Sequence, residues 1–280
     1  MITLENGHAF EYMAASGSLG LDGRGYWWER AVVEPSLFTI VLKTLTLNPH
    51  RGNFSWLKPL ESVWIGNKGI VNDYGLTNPG LDWWLERIGN KSFFKDRSVI
   101  VSLQAGNDVP TMAWNLRNLP IKGIEINNCP NYEQAVATSE VLRSCEFARR
   151  ISGLPVLLKV SYGFNIAELA KSLVGLVDAV SINSVPWRHV LPAKVSPLGG
   201  LRGSISGHMA QPYTWEMVEQ FKHHAGDSLK VIAPSIWEYG DIEKVRRLGA
   251  DAISFGSIFL RYPWRPAIYV KRDIMESSAS

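Results

Sequence analysis

The chain has 280 residues, 46% of them hydrophobic, enough to bury the core of one large α/β barrel or of two small domains. Its formal net charge is +3 and its basic residues are scattered, which argues against nucleic-acid binding. Two cysteines are too few for a disulfide framework, and the lack of a signal-peptide pattern or a long apolar run predicts a cytoplasmic protein without membrane contact. The Arg149-Arg150 and Arg246-Arg247 pairs fall in helical patterns and are predicted to cover solvated faces.

Strand-like and helix-like segments alternate along the whole chain. The eight predicted strands are residues 10–15, 37–42, 99–103, the run that begins at 123, 155–160, 179–182, 229–233 and 252–255. The predicted helices are residues 26–30, 82–88, 111–116, 133–151, 166–173, 214–223, 242–248 and 267–275. This alternation without a linker predicts an α/β fold, a (β/α)8 TIM barrel forming a single domain over residues 1–280. The stretch 48–80 is too long for a plain connection and predicts an inserted β-hairpin or lid after the second strand.

Barrels of this kind carry their chemistry at the C-terminal ends of the strands. In this chain those ends are Ser16-Gly17, Lys43-Thr44, Asn127 to Asn131, Lys159, Asn183-Ser184 and Gly256-Ser257. Two lysines at the ends of apolar strands predict an anionic ligand, and the alternative is a pair of lysines that reach solvent at the barrel rim.

The fourth predicted strand runs into a polar cluster at Asn127-Asn128-Cys129-Pro130-Asn131. Asparagine amides there can read a planar ligand, and Cys129 can exchange a proton. The alternative is an Asn-rich turn with a buried thiol. The other cysteine, Cys145, has helical spacing with Val141 and Ala148 and is predicted to belong to the core.

Glycines between the sixth strand and the following helix predict a phosphate-binding loop, because glycine lets backbone amides approach the oxygens closely. They are Gly199, Gly200, Gly203 and Gly207, and Gly256-Ser257 follows the last strand. The sequence has no HExxH motif, and His223-His224 lies on a polar helix face, so metal catalysis is not expected.

Five fragments, in order along the chain, resemble the dihydroorotate dehydrogenase family of FMN-dependent barrels. The likeness covers residues 10 to 260, and its fragments are Ala15-Ser16-Gly17, Lys43-Thr44 with Arg51-Gly52-Asn53, Asn72 to Leu76, Cys129-Pro130-Asn131 and Asn183-Ser184. The segment 203–207 with Pro212 is similar to the family's glycine loop, and the segment 249–257 to its last phosphate-binding unit.

The resemblance implies oxidation of (S)-dihydroorotate to orotate in pyrimidine biosynthesis, with Cys129 as the base, Lys43 as the charged group near substrate and flavin, and a hydride passed to FMN. The implied FMN-binding residues are Ala15, Ser16, Gly17, Lys43, Thr44, Asn127, Lys159, Asn183, Ser206, Gly207, Ser235, Gly256 and Ser257. The implied substrate-binding residues are Lys43, Asn72, Gly75, Leu76, Asn127, Asn131, Asn183 and Ser184. A cysteine base without an N-terminal membrane-associating extension resembles the soluble class.

The sequence departs from the family pattern at three points. One residue fewer separates Asn127 from Cys129, so we expect either a different strand bulge or a ligand contact from Asn128. A helix is expected soon after Asn131, without a longer loop over the site. Ala233-Pro234-Ser235 replaces a glycine pair, which predicts weaker FMN binding because Pro234 has no amide to offer.

Two other functions remain open at this point. One is FMN-dependent oxidation or reduction of another cyclic amide or enone, and the other is a non-catalytic barrel that binds a flavin or a phosphate. The electron acceptor is also open, with fumarate and NAD through a partner subunit as alternatives. Trp56, Trp64 and Trp264 are candidates for a homodimer face.

Overall fold

The computed structural model describes residues 1–55, 57–88, 91–128 and 137–279. Its strands are β1 (Ile2–Thr3), β2 (Ala9–Phe10), β3 (Tyr12–Ala14), β4 (Thr39–Val41), β5 (Val63–Ile65), β6 (Ile70–Asn72), β7 (Ser98–Gln104), β8 (Gly123–Asn128), β9 (Val156–Val160), β10 (Ala179–Ile182), β11 (Val185–Pro186), β12 (Ser204–Ser206), β13 (Lys230–Ala233) and β14 (Ala252–Phe255). Its α-helices are α1 (Leu81–Ile88), α2 (Val109–Leu116), α3 (Thr138–Ser152), α4 (Ile166–Leu173), α5 (Trp187–Val190), α6 (Gln211–Ala225), α7 (Asp241–Arg247), α8 (Ile258–Arg261) and α9 (Arg265–Ala279).

Eight parallel strands close into a barrel in the order β3-β4-β7-β8-β9-β10-β13-β14. The order follows the chain, and helices lie between most successive barrel strands, which confirms the predicted (β/α)8 barrel. Local signals set the helix ends. Helix α3 ends at Gly153, which takes the left-handed conformation that glycine favours at this place, and Asn165 caps α4 by accepting a hydrogen bond from the Glu168 amide.

The barrel interior changes from apolar to polar along the strands. The apolar layer lies next to the short β1–β2 hairpin and consists of Ile2, Leu4, Phe10, Met13, Val41, Ile100, Leu157, Ala179, Ile232 and Ala252. Because side chains alternate with a period of two, the next inward positions along these strands include Lys43, Ser102, Lys159, Ser181 and Ser254. The polar half of the interior therefore lies at the C-terminal ends of the strands.

Two insertions build a second, four-stranded sheet in the order β11-β12-β6-β5. Strands β5 and β6 lie within the stretch predicted to hold an inserted hairpin or lid, and they pair antiparallel. Strand β12 lies within the predicted glycine loop and joins β6 to β11. The predicted helix at residues 26–30 is wrong, because turns occupy this segment.

The surroundings of the two arginine pairs agree with the prediction only in part. Arg150 and Arg247 are exposed, as predicted. Arg149 is partly buried and bonds Asp178 Oδ2 at 2.7 Å, and Arg246 bonds Asp273 Oδ2 at 2.5 Å. These two arginines join distant segments of the chain, so the prediction of solvated faces is wrong for them. Among the described residues, no helix combines the length and the apolar character needed to cross a membrane.

Candidate active site

A cavity opens at the C-terminal ends of the barrel strands. Its empty space of about 1490 Å³ includes open solvent at the mouth. Every described residue that the family resemblance implied for FMN or substrate lines it: Ala15, Ser16, Gly17, Lys43, Thr44, Asn72, Gly75, Leu76, Asn127, Lys159, Asn183, Ser184, Ser206, Gly207, Ser235, Gly256 and Ser257. Of the glycines predicted to form a phosphate-binding loop after the sixth strand, only Gly207 lines this cavity; Gly199, Gly200 and Gly203 do not. The remaining two, Cys129 and Asn131, lie outside the described residues.

Two lysines bring positive charge to this cavity. The Lys43 side chain passes directly over Gly17, where an added Cβ would stand 2.7 Å from Lys43 Cδ, so a larger residue at position 17 would displace Lys43. Lys159 lies at the end of β9 and is only 8% exposed. Within the part of the chain that the structure describes, Lys159 has no ion-pair partner. A buried cation of this kind favours an anionic ligand or negative charge that develops on one.

Hydrogen bonds link the inward-facing polar side chains beneath the cavity. Thr44 Oγ1 accepts from Asn127 Nδ2 at 2.6 Å and lies 3.1 Å from Ser16 Oγ and 3.0 Å from Ser102 Oγ. Asn127 Oδ1 is buried and has no hydrogen-bond partner among the described residues. The site thus offers an acceptor that a ligand N–H can satisfy.

An aromatic wall of the cavity was not among the predicted site residues. Tyr26 and Tyr74 both line it, and burial is the main cause that raises the pKa of each phenol, so both stay neutral near pH 7. Tyr26 stacks on Trp28 at 4.8 Å and Tyr74 on Phe54 at 4.6 Å. The aromatic run 26–28, so soon after the first barrel strand, was the sequence signal for this wall.

Behind this wall lies a buried carboxyl group, Glu29. Its side chain is fully buried, and burial raises its pKa to about 7 despite a hydrogen bond from the Tyr26 amide to Oε2. Its other oxygen, Oε1, has no partner among the described residues. Near neutral pH this group therefore changes its charge next to a cavity-lining tyrosine.

The loop after β13 replaces glycine with Ser235 and still takes a glycine-like path. Ser235 has φ 68°, in the left-handed region, and its carbonyl accepts a hydrogen bond from Gln211 Nε2 at 2.9 Å. The Pro234 carbonyl accepts from Trp215 Nε1 at 3.1 Å. Helix α6 therefore holds this loop in a conformation that serine rarely adopts.

Asp241, at the start of α7, fixes the next part of this loop. Its Oδ2 accepts from the amides of Trp237 at 3.0 Å and Glu238 at 2.9 Å. Burial acts to raise the pKa of Asp241, but these bonds, with those from Lys244 and Gln211, hold it below its usual range. The carboxylate thereby anchors the loop against the barrel.

The shortened Asn127–Cys129 spacing leaves β8 regular as far as it is described. Its register with β9 continues without a bulge to Asn128, which pairs with Val160. Asn128 does not line the cavity among the described residues, and its carbonyl accepts from Ser161 Oγ at 2.7 Å. Up to residue 128, β8 has no bulge, and Cys129 lies outside the described residues. A ligand contact from Asn128 stays a prediction.

Cys145 belongs to the core, as predicted. It is fully buried on α3, and burial raises the pKa of its thiol to about 12. The thiolate form that a base requires is therefore inaccessible at neutral pH. The described residues contain no cluster of three or more His, Cys, Asp or Glu side chains that could hold a metal ion.

Several known proteins are similar in sequence to most of this chain. The catalytic subunit of dihydroorotate dehydrogenase B (NAD(+)) from Desulforamulus reducens is 30% identical over 222 residues, which cover 74% of this chain and 69% of the relative. The chain belongs to the dihydroorotate dehydrogenase family. Subunits of the same name from Thermoanaerobacter pseudethanolicus and Carboxydothermus hydrogenoformans are 27% and 28% identical, over 88% and 91% of this chain and 82% and 83% of the relatives. No protein-family model matches the chain. Membership makes it a dihydroorotate dehydrogenase-like oxidoreductase.

Proposed function

We propose that this chain is an FMN-dependent dihydroorotate dehydrogenase that oxidises (S)-dihydroorotate to orotate in pyrimidine biosynthesis. One observation carries the proposal: the described residues that the resemblance implied for FMN and substrate, from the barrel strand ends and the second sheet, line a single cavity. Strand ends provide Lys43, Asn127, Lys159 and Asn183, and β6 provides Asn72. The names of the relatives support the same substrate.

The cavity wall fits a flavin. Among the described residues, Asn127 Oδ1 and Ser18 Oγ are buried cavity-lining atoms without a hydrogen-bond partner, and a flavin ring edge offers complementary N–H and carbonyl groups. The loops after β12, β13 and β14 bring Gly207, Ser235 and Gly256 to the same cavity, where backbone amides suit a phosphate. When bound, FMN supplies a two-electron acceptor for a hydride from the substrate.

The residues of the chain have separate tasks in this proposal. Lys43 holds the anionic carboxylate of the substrate, and Asn72, Asn127 and Asn183 orient the polar edges of its ring. The Lys159 ammonium stabilises negative charge that develops on the bound ring system. These side chains thus bind and orient before any bond changes.

The chemical step removes a proton and a hydride from neighbouring ring carbons and leaves a carbon–carbon double bond. We assign the proton to the Cys129 thiolate, which follows β8 directly in the sequence. Because Cys129 lies outside the described residues, this role rests on the sequence motif. The hydride leaves to the acceptor, so that protons and electrons balance.

The test measures the FMN content of the purified protein first, and then which substrate it oxidises. We expect a yellow protein with one FMN per chain that forms orotate from dihydroorotate when fumarate, NAD or an artificial dye accepts the electrons. A colourless protein that takes up no added FMN would overturn the cofactor and most of the mechanism. A flavin-loaded protein that ignores dihydroorotate and turns over another cyclic amide or enone would replace the substrate only, and flavin binding without turnover would favour a non-catalytic barrel.

A further inference from the structure

Two tyrosines, Tyr26 and Tyr74, form a wall of the cavity and have no task in the proposed mechanism. The Tyr26 amide donates to Glu29 Oε2 at 2.9 Å, and the Tyr26 ring stacks on Trp28 with 4.8 Å between ring centres. The Tyr74 ring stacks on Phe54 with 4.6 Å between ring centres. Packing from behind therefore holds both rings in place at the wall.

The phenol groups of this wall carry a proton that the protein does not use. The two phenols are hydrogen-bonded to each other, and among the described residues neither has another hydrogen-bond partner. Burial raises the pKa of both, so each keeps its proton near pH 7. Each phenol has one proton, and a bond between the two oxygens uses only one of the two protons. At least one phenol proton thus lacks an acceptor in the described part of the chain.

The wall reaches the cavity from the same side as Lys43. The Lys43 side chain passes over Gly17. The Gly25 amide donates to the Leu19 carbonyl at 2.9 Å, so the chain returns close to Gly17 directly before Tyr26. A phenol proton on this side suits an anionic group that the lysine also attracts, because a hydrogen bond to a charged acceptor is about twice as strong as a neutral one.

The substrate, rather than the flavin, is the ligand that this wall fits. Tyr74 lies between Asn72 and Gly75, which the family resemblance implies for substrate binding and which line the same cavity. A ligand that covers the wall displaces water from it. Such a ligand must then offer an acceptor to the phenol proton or leave that proton unpaired.

We propose that the Tyr26–Tyr74 pair determines specificity by donating a phenol hydrogen bond to an anionic substituent of the substrate ring, so that the site favours a ring carboxylate over the same ring without one. For the identity of that ring, the proposal rests on the proposed function. The carboxylate of orotate or dihydroorotate would then be bound by a phenol as well as by Lys43.

The test compares ligands with and without the carboxylate. Dissociation constants of orotate and of uracil, which lacks the carboxylate, are measured by titration calorimetry on the FMN-loaded protein. The proteins are the parent, Tyr26→Phe, Tyr74→Phe, the double variant and the control Tyr213→Phe. Phenylalanine keeps the ring and removes only the hydroxyl group. Tyr213 is a partly buried tyrosine on α6 that does not line the cavity.

The double variant should bind orotate about 10- to 100-fold more weakly than the parent, the range expected for the loss of a hydrogen bond to a charged group. Its affinity for uracil and its FMN content should stay at the parent values, and Tyr213→Phe should match the parent throughout. At least one single variant should lose about fivefold or more in orotate affinity, which decides the matter if the double variant does not fold. Unchanged orotate affinity, or an equal loss for orotate and uracil, would overturn the proposal.

Turnover gives a second readout. Because the phenol binds the carboxylate equally before and during the reaction, the double variant should raise KM for dihydroorotate and leave kcat near the parent value. A loss confined to kcat would overturn the proposal, since it would show that the pair acts on the chemical step and not on binding.

Benzoate separates this inference from the proposed function, because it is a planar carboxylate without a pyrimidine ring. If orotate does not bind the parent, the proposed function is wrong. Benzoate binding that weakens about fivefold or more in the double variant would still support the role of the phenol pair. Benzoate binding that does not weaken, or a parent that binds neither carboxylate, would overturn it.

Discussion

Trp237 packs against Gly207 so closely that a Cβ added to Gly207 would stand 2.8 Å from its ring. Gly207 also has φ 83°, in the left-handed region. Trp237 is held from the other side, because Asp241 accepts a hydrogen bond from its amide and the Asn67 carbonyl accepts one from its Nε1. The loops after β12 and β13 thus meet at a glycine beside the proposed phosphate position.

Replacing Gly207 with alanine should weaken FMN binding. The variant carries left-handed strain of about 1 kcal/mol and must also displace the Trp237 ring, so we expect a loss of FMN affinity of about tenfold or more. Gly199→Ala is the matched control, because Gly199 has φ 88° and open space around its Cα. Fluorescence titration of FMN and thermal unfolding of both variants check this. Equal FMN affinity in the two variants would show that the contact with Trp237 does not shape the site.

Removing the charge of Lys43 should slow flavin reduction by dihydroorotate. A charged hydrogen bond contributes about 1.5–3 kcal/mol, so Lys43→Ala should lose about 10- to 100-fold in rate or in substrate affinity. The control is Lys171→Ala on the exposed face of α4, which should behave like the parent. Rapid mixing under anaerobic conditions separates the rate from the affinity. If Lys43→Ala keeps the parent rate of flavin reduction and the parent substrate affinity, the alternative, a lysine that reaches solvent at the barrel rim, is correct.

Glu29 should make the fold less stable as pH rises from about 4.5 to about 7. Because its pKa is raised from 4.5 to about 7, the folded protein retains in this range a proton that the unfolded chain has lost. The free energy of unfolding should therefore fall through this window, by at most about 3 kcal/mol, and level off above it. Urea unfolding at pH 5 and pH 8 should show the fall in the parent and in the exposed-residue control Glu219→Gln. The fall should be smaller in Glu29→Gln, and an equal pH dependence in all three proteins would contradict it.

The barrel could be predicted from sequence because its signals are local and repeated. Strand β10 and helix α4 match the predicted bounds, since each is a short apolar-patterned run between clear turn residues. The segment 26–30 was predicted as a helix on the same reasoning. Its two exposed or half-exposed tryptophans and its buried Glu29 instead form turns that cover the cavity, a tertiary arrangement that periodicity does not encode.

Some residues of the candidate site could also be predicted from the sequence, and others could not. Residues within family motifs could be named, because each motif has a fixed place at a strand end. Glu125 was passed over although it lies between Ile124 and Ile126, since its hydrogen bonds come from Ser102, 23 positions away, and Ser181, 56 positions away. Tyr26 and Tyr74 reach the cavity wall from two separate segments of the chain, and their approach is likewise a property of the fold.

The two cysteines should respond differently to substitution. Cys129→Ala should retain FMN and lose about 10²- to 10⁴-fold in flavin reduction, the usual contribution of a general base. Cys145→Ala should keep the parent rate and lose at most a few kcal/mol of stability, as expected for shrinking a buried side chain. Flavin reduction across pH in both variants is the measurement. If the flavin of Cys129→Ala is reduced at the parent rate, another residue is the base.

The central claim, oxidation of dihydroorotate at this cavity, is tested most directly by anaerobic single-turnover mixing. The FMN-loaded protein is mixed with excess (S)-dihydroorotate in the absence of any electron acceptor, and the flavin absorbance and the orotate formed are recorded together. The account predicts complete bleaching of the flavin with one orotate formed per FMN. A flavin that stays oxidised with dihydroorotate, yet is bleached by a chemical reductant, would contradict it.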